Sequence, residues 1–288
     1  MKLVTYEADG GARVGALAEG GVVDLGTVAP DMLSLIDRGE AGLAHARAAV
    51  DAASDILPME RVRLLAPIPR PRKNIVCLGM NYAAHAYESC RAKGLPEKLP
   101  EHPVFFTKSP TTVIGPGAEI PHDPAVTTQL DWEVELGFVL GRTGKNIPRE
   151  DALGYIFGYT VINDISARDL QMKHQQFFKG KSLDGTCPMG PYIVTADELP
   201  DAGDLALVLR LNGKTMQDSR TRDLVFDIPT IIAALSRGQT VEAGDVVSTG
   251  TPSGVGMGLD PQTWLKPGDV LEAEIERIGV LRNTVVVA

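Results

Sequence analysis

Asp131-Trp132-Glu133-Val134-Glu135-Leu136-Gly137-Phe138-Val139-Leu140 is the stretch that decides how this chain folds. Trp132, Val134, Leu136 and Phe138 alternate with Glu133 and Glu135. Successive side chains of an extended chain point to opposite sides, so the alternation predicts a strand over 132–141 with both glutamates on one face. Two explanations fit two acids on one face. One is a half-buried strand whose wet side tolerates the repulsion through water; the other is a pair of ligands for a cation.

A third acid closes the apolar run Thr160-Val161-Ile162-Asn163-Asp164-Ile165-Ser166. A carboxylate at the end of so apolar a strand is costly to bury without a cation, which makes Asp164 a candidate ligand beside Glu133 and Glu135. The alternative for Asp164 is an N-cap of the helix that follows Ser166. Carboxylates alone, completed by water or substrate, suit Mg2+ or Mn2+ better than Zn2+, which recruits His or Cys.

Outward from this centre, residues 74–79, 104–107, 158–164, 191–195, 205–211, 246–249, 270–275 and 279–286 also read as strands. Helical patterns are fewer: 81–93, 149–153, 167–174 and 228–237. Strand and helix do not alternate regularly, so a doubly wound sheet is disfavoured and a strand-dominated α+β fold is expected. The echoing segments 241–247 and 265–271 each read as a turn feeding a strand, a pattern suited to barrel-like architecture. Towards the N-terminus, strands over 2–7, 12–18 and 21–24 form a meander, followed by an Ala-rich helix over 32–53 broken near Gly39 and an extended piece over 57–65. Pro67-Ile68-Pro69-Arg70-Pro71-Arg72 favours an extended connector. The expected division is a small N-terminal α+β accessory domain, residues 1–70, and a main domain, residues 71–288.

Composition narrows the function. The 288 residues include 37 acidic and 28 basic ones, a formal net charge of -9, which repels nucleic acid and anionic membranes. A carboxylate substrate would then need a metal or clustered Lys and Arg at its site. The cysteines, Cys77, Cys90 and Cys187, form no CxxC pair, and no stretch reaches about 18 apolar residues. These features lead us to expect a cytoplasmic protein in a reducing compartment.

Three further constellations carry chemistry. In Asn81-Tyr82-Ala83-Ala84-His85-Ala86-Tyr87-Glu88, helical spacing puts His85 and Glu88 on one face, where a carboxylate can orient an imidazole base; a solvated surface pair is the competing reading. In Phe178-Lys179-Gly180-Lys181-Ser182, Lys181 can neutralise an oxyanion, or simply occupy an exposed turn. The glycine-rich run Ser248-Thr249-Gly250-Thr251-Pro252-Ser253-Gly254-Val255-Gly256-Met257-Gly258 lacks the terminal Gly-Lys-Ser/Thr and the spacing of nucleotide loops, and fits close backbone approach to a small ligand.

Taken in order, Gly79-Met80-Asn81-Tyr82 with His85, Phe106-Thr107-Lys108-Ser109-Pro110, Asp131 to Leu136, Asn163 to Gln171, Lys181 to Pro188, and Ser248 to Gly256 resemble the fumarylacetoacetate hydrolase family from about Asn74 onward. The resemblance implies a β-rich roll within an α+β fold, one divalent ion per subunit, Mg2+ or Mn2+, and a homodimer. It places Glu133, Glu135 and Asp164 on the ligand motifs, Lys181 on an active-site lysine, His85 and Glu88 on the His-Glu dyad of acylpyruvate hydrolases, and Thr251 on a substrate-contacting loop. The implied activity is hydrolysis of an acylpyruvate: His85, held by Glu88, draws a proton from water, which attacks the distal ketone, and carbon–carbon cleavage releases pyruvate as its enolate. Decarboxylation of an oxaloacetate-type acid and isomerisation of 2-hydroxyhepta-2,4-diene-1,7-dioate use similar chelation. Lys108, Arg168 and Gln171 are further candidates for meeting substrate, including the hydroxyls of a sugar-derived diketo acid. A non-catalytic metal-dependent carboxylate-binding protein is the reading from a different class.

Overall fold

The strand Val134–Leu140 lies inside the larger sheet, antiparallel to Ile156–Asn163 on one side and to Val246–Ser248 on the other. The computed structural model describes residues 1–8, 10–92 and 94–288. Every residue of Val134–Leu140 and of Ile156–Asn163 is buried, which explains why both read as apolar runs. Gly137 leaves room for Ile162: a Cβ there would lie 2.7 Å from Ile162 Cδ1 and force that side chain to shift.

The long path of this 12-stranded sheet runs Leu57–Pro58, Gly21–Asp24, Gly11–Ala18, Lys2–Ala8, Cys187–Thr195, Ile156–Asn163, Val134–Leu140, Val246–Ser248, Ile75–Gly79 and Val104–Lys108. A second sheet orders Lys214–Arg220, Ala206–Leu211, Val270–Ile275, Gly279–Val287 and Glu119–His122. Both paths are open-ended, so the barrel-like expectation resolves into two sheets sharing a core. Val134, Leu136 and Phe138 belong to one apolar cluster with Leu207, Leu209, Leu271 and Ala273 of the second sheet. The opposite face of the large sheet is covered by Leu35, Ile36, Leu43 and Ala46, which cluster with Val139, Ile162 and Ile193. The strand-dominated α+β expectation therefore holds.

The N-terminal meander forms as the alternation requires, and the Ala-rich segment splits into Met32–Asp37 and Gly39–Asp51, with Gly39 at φ +54°. Its first strand is antiparallel to Cys187–Thr195, with Leu3 opposite Ile193, so one sheet runs through both sides of the Pro67–Arg72 connector. The extended piece over 57–65 is interrupted by a 3-10 turn, Met59–Arg61. Helices form at Ala83–Ala92, Arg168–Lys173 and Ile228–Ser236, and 149–153 forms part of the 3-10 helix Arg149–Tyr155. The expected end of the first of these, Lys93, lies outside the described residues. Among the described residues no helix is long and apolar enough to cross a membrane.

Candidate metal centre and active site

Glu133, Glu135 and Asp164 converge: each offers a carboxylate oxygen, and these oxygens lie within 4.8 Å of one another. The two glutamates come to one side, as the alternation predicts, although the strand itself begins only at Val134. Glu133 sits just before the strand, its N–H donating to Asn163 Oδ1 at 3.0 Å and its carbonyl accepting from Asp164 N at 2.8 Å. That pair of bonds stitches two ligands together where the ladder ends. The wet-face alternative fails, because Glu135 is 1% exposed and Asp164 0%. Asp164 is not a helix cap either: the helix Arg168–Lys173 has Ala167 at its N-cap and no side-chain cap.

Three buried cations surround the acids. Lys181 Nζ lies 2.7 Å from both Glu133 Oε2 and Asp164 Oδ2, Lys108 Nζ 2.8 Å from Asp164 Oδ1, and Arg168 Nη2 2.6 Å from Glu133 Oε1. Lys181 belongs to the short helix Phe178–Lys181, not to an exposed turn. Gly180 makes that helix fit, since a Cβ there would meet Gln171 N at 2.5 Å. Burial opposes ionisation of Glu133, yet Lys181 and Arg168 outweigh it and hold the carboxyl well below its usual range. Glu135 is driven the other way, upward, by burial and then by the neighbouring charges of Asp164 and Glu133. It accepts hydrogen bonds from Ser248 Oγ and from Gly250 N on Oε2.

The dyad is assembled and buried. His85 Nδ1 is 3.0 Å from Glu88 Oε2 on the helix Ala83–Ala92, and Glu88 Oε1 accepts the Gly254 N–H at 2.9 Å. The glycine-rich run thus approaches the dyad through its backbone: a Cβ at Gly258 would fall 2.2 Å from the Glu88 carboxylate. His85, Glu133, Arg168, Gln171, Lys181 and Thr251 line one pocket. Lys108 is fully buried behind it, bonded to Asp164 and to the carbonyl of Ile165, and is not among the lining residues described.

Two residues escaped the sequence reading. Asp131 accepts from Arg168 Nε at 2.8 Å and from the backbone N–H groups of Gly256 and Met257, which fixes the guanidinium against the glycine-rich loop. It stood in the quoted stretch, but nothing local signals a partner 37 positions away. Ser89 is 4% exposed, lines the pocket one helical turn beyond His85, and its side chain makes no hydrogen bond among the described residues. Its signal was the i, i+4 spacing from His85.

The residues fit a divalent cation. Glu135 Oε1 is buried without a hydrogen-bond partner among the described residues, and three all-oxygen donors meet within one small space. The buried acids Asp131, Glu133, Glu135 and Asp164, with Glu88 beside His85, outnumber the buried cations Lys108, Arg168 and Lys181, so the centre has negative charge left for a divalent ion to offset.

A buried carboxylate triad ringed by cations and faced by a His-Glu pair, on a strand-rich α+β fold, defines an enzyme site suited to a metal and an anionic substrate. The chain belongs to the fumarylacetoacetate hydrolase family: residues 74–286 match the family described as fumarylacetoacetate (FAA) hydrolase C-terminal. It is 44% identical to oxaloacetate tautomerase YisK of Bacillus subtilis, over 93% of this chain and 90% of that protein. The crystal structure of a putative HpcE protein from Mycobacterium smegmatis superposes with TM-score 0.88 at 39% identity, covering 100% of both chains. Maleylpyruvate hydrolase from Sphingobium sp. SYK-6, in complex with manganese(II) ion and pyruvate, matches with TM-score 0.81 at 28% identity and the same coverage.

Proposed function

We propose that this enzyme interconverts the enol and keto forms of oxaloacetate or a closely related 2-oxo diacid, with Mg2+ or Mn2+ held by Glu133, Glu135 and Asp164. The observation that carries this is a base and two cations converging on one carboxylate cluster: His85, Lys181 and Arg168 share a pocket with Glu133. The 44% identity to an oxaloacetate tautomerase, over 93% of this chain, supports it over acylpyruvate hydrolysis.

The reaction moves a proton between C3 and the 2-oxygen. Glu88 accepts from Nδ1 of His85, which leaves Nε2 to take and return that proton. An activated water is not required for this; a held imidazole serves either task. Lys181 and Arg168 face the negative charge that develops on the substrate oxygens. A divalent ion, when bound, supplies Lewis-acid stabilisation of that charge. The burial of the dyad keeps bulk water from competing for the proton.

The test is a panel of oxaloacetate, acylpyruvates and dienedioates, followed by loss of enol absorbance and by release of pyruvate. Oxaloacetate enol should decay fastest, a chelator should abolish the effect, and Mg2+ or Mn2+ should restore it. Full activity in chelator would sink the metal reading; pyruvate release from acylpyruvates, with no effect on oxaloacetate enol, would favour hydrolysis. That second reading keeps one specific support, the His-Glu pair able to activate water.

Ser89, which lines the pocket with His85, has an unpaired hydroxyl that could meet the substrate. Ser89→Ala is expected to raise KM for oxaloacetate by about 5-fold, the loss of one ordinary hydrogen bond, with kcat little changed. An unaltered KM would remove Ser89 from binding.

A further inference from the structure

Gln217 lies on the second sheet, in the strand Lys214–Arg220, yet its side chain reaches the segment that bears the metal-site glutamates. The reason is a gap in the large sheet. On one edge, Val134–Leu140 is paired from Val134 onward, opposite Asn163. On the other edge, the Val246–Ser248 ladder covers Gly137 to Val139, Thr249 N adds one bond to Leu136 O, and the chain turns away at Gly250, where φ is +95°. Val134, the residue between Glu133 and Glu135, is left there without a backbone neighbour.

Gln217 and Thr251 fill that place. Val134 N donates to Gln217 Oε1 at 3.0 Å, Gln217 Nε2 donates to Thr251 Oγ1 at 2.8 Å, and Thr251 Oγ1 donates to Val134 O at 2.9 Å. The three bonds close a ring, and the second Gln217 N–H goes to Pro252 O at 2.8 Å. Gln217 is 1% exposed, so each of these bonds would be expensive to lose. The ring joins the backbone of the two glutamates to Thr251, which lines the pocket, and to the turn whose Gly250 N–H binds Glu135.

We propose that Gln217 is a positioning residue for the active site: its amide stands in for a missing strand and sets the Glu133–Glu135 segment and the Thr249–Pro252 loop at one fixed spacing. This rests on the metal reading of the three carboxylates. Partners that orient ligating carboxylates typically account for about 10- to 100-fold in metal affinity or rate. A residue that merely stabilised the fold would lower the melting temperature and leave the folded protein's metal affinity intact.

Mn2+ alone is the probe. It is titrated into wild type, Gln217→Met, Thr251→Val and the double variant, with free Mn2+ read by electron paramagnetic resonance well below each melting temperature. Each single variant should bind Mn2+ at least ~10-fold more weakly, and the double variant should be no weaker than the weaker single one, because both break the same ring. Affinity in Gln217→Met within about 2-fold of wild type, against the ~10-fold expected, would overturn the inference, as would losses that multiply in the double variant. Absence of Mn2+ binding by wild type would overturn the metal reading and this inference together. Should Gln217→Met not fold, Thr251→Val reads the same ring from its other side against the same thresholds.

Discussion

Replacing Asp164 by alanine is expected to lower stability by about 3–5 kcal/mol and to reduce activity by at least ~100-fold. Asp164 has no solvent exposure and faces two ammonium groups, Lys108 at 2.8 Å and Lys181 at 2.7 Å. Lys181 keeps Glu133 when Asp164 is removed, but Lys108, itself fully buried, is left with the carbonyl of Ile165 alone. An uncompensated buried charge costs far more than a lost surface pair, so the melting temperature should fall by on the order of 10 °C. Thermal unfolding of Asp164→Ala beside Asp164→Ala/Lys108→Met separates the two effects. Removing the stranded ammonium should recover most of the stability and none of the activity. A double variant as unstable as the single one would refute the ion-pair account, and recovery of activity would take Asp164 out of the metal site.

The second large effect concerns the proton. His85→Ala should lower kcat for oxaloacetate tautomerisation by about 10²- to 10⁴-fold while leaving Mn2+ affinity close to that of wild type, since a positioned base contributes on that scale. Glu88→Gln should cost less, about 10-fold, because the amide can still meet the ring while losing the charge that orients its proton. Steady-state rates at saturating Mn2+ provide the comparison. An unchanged kcat in His85→Ala would leave the proton transfer to another group, and a Glu88→Gln loss as large as that of His85→Ala would mean that the carboxylate takes part directly.

Much of this was legible in the chain because the central strands are buried on both faces, and burial leaves a strong apolar signature in sequence. Where polar side chains replace the ladder, the signature misleads. Alternation runs smoothly through Glu133, yet its backbone is held by the Asn163 side chain and by Asp164, outside the strand. The strand Lys214–Arg220 went unread because Lys-Thr-Met-Gln-Asp-Ser-Arg shows no apolar alternation; Gln217 is the residue it turns inward. Glu119–His122 was missed as well, a four-residue edge strand paired to Gly279–Val287. Lys181, following Gly180, resembles a solvent turn until Glu133 and Asp164, 48 and 17 positions away, are brought to it by the fold. The His-Glu spacing was readable, but which bond responds to a held imidazole is a property of the substrate. That is why the relatives, and not the residues, move the preferred reaction from hydrolysis to tautomerisation.

The pairing of Lys2–Ala8 with Cys187–Thr195 bears on where the large sheet ends. The N-terminal meander contributes no side chain to the pocket, among the residues described as lining it. It does occupy the hydrogen-bonding edge of a strand that lies two places from the one leading out of Glu133. A bare edge there would be a template for a strand of any other chain, and the all-buried run of apolar residues behind it would favour continued stacking. The meander thus carries the sheet outward to the two-residue strand Leu57–Pro58, an edge too short to be an extended template for another chain.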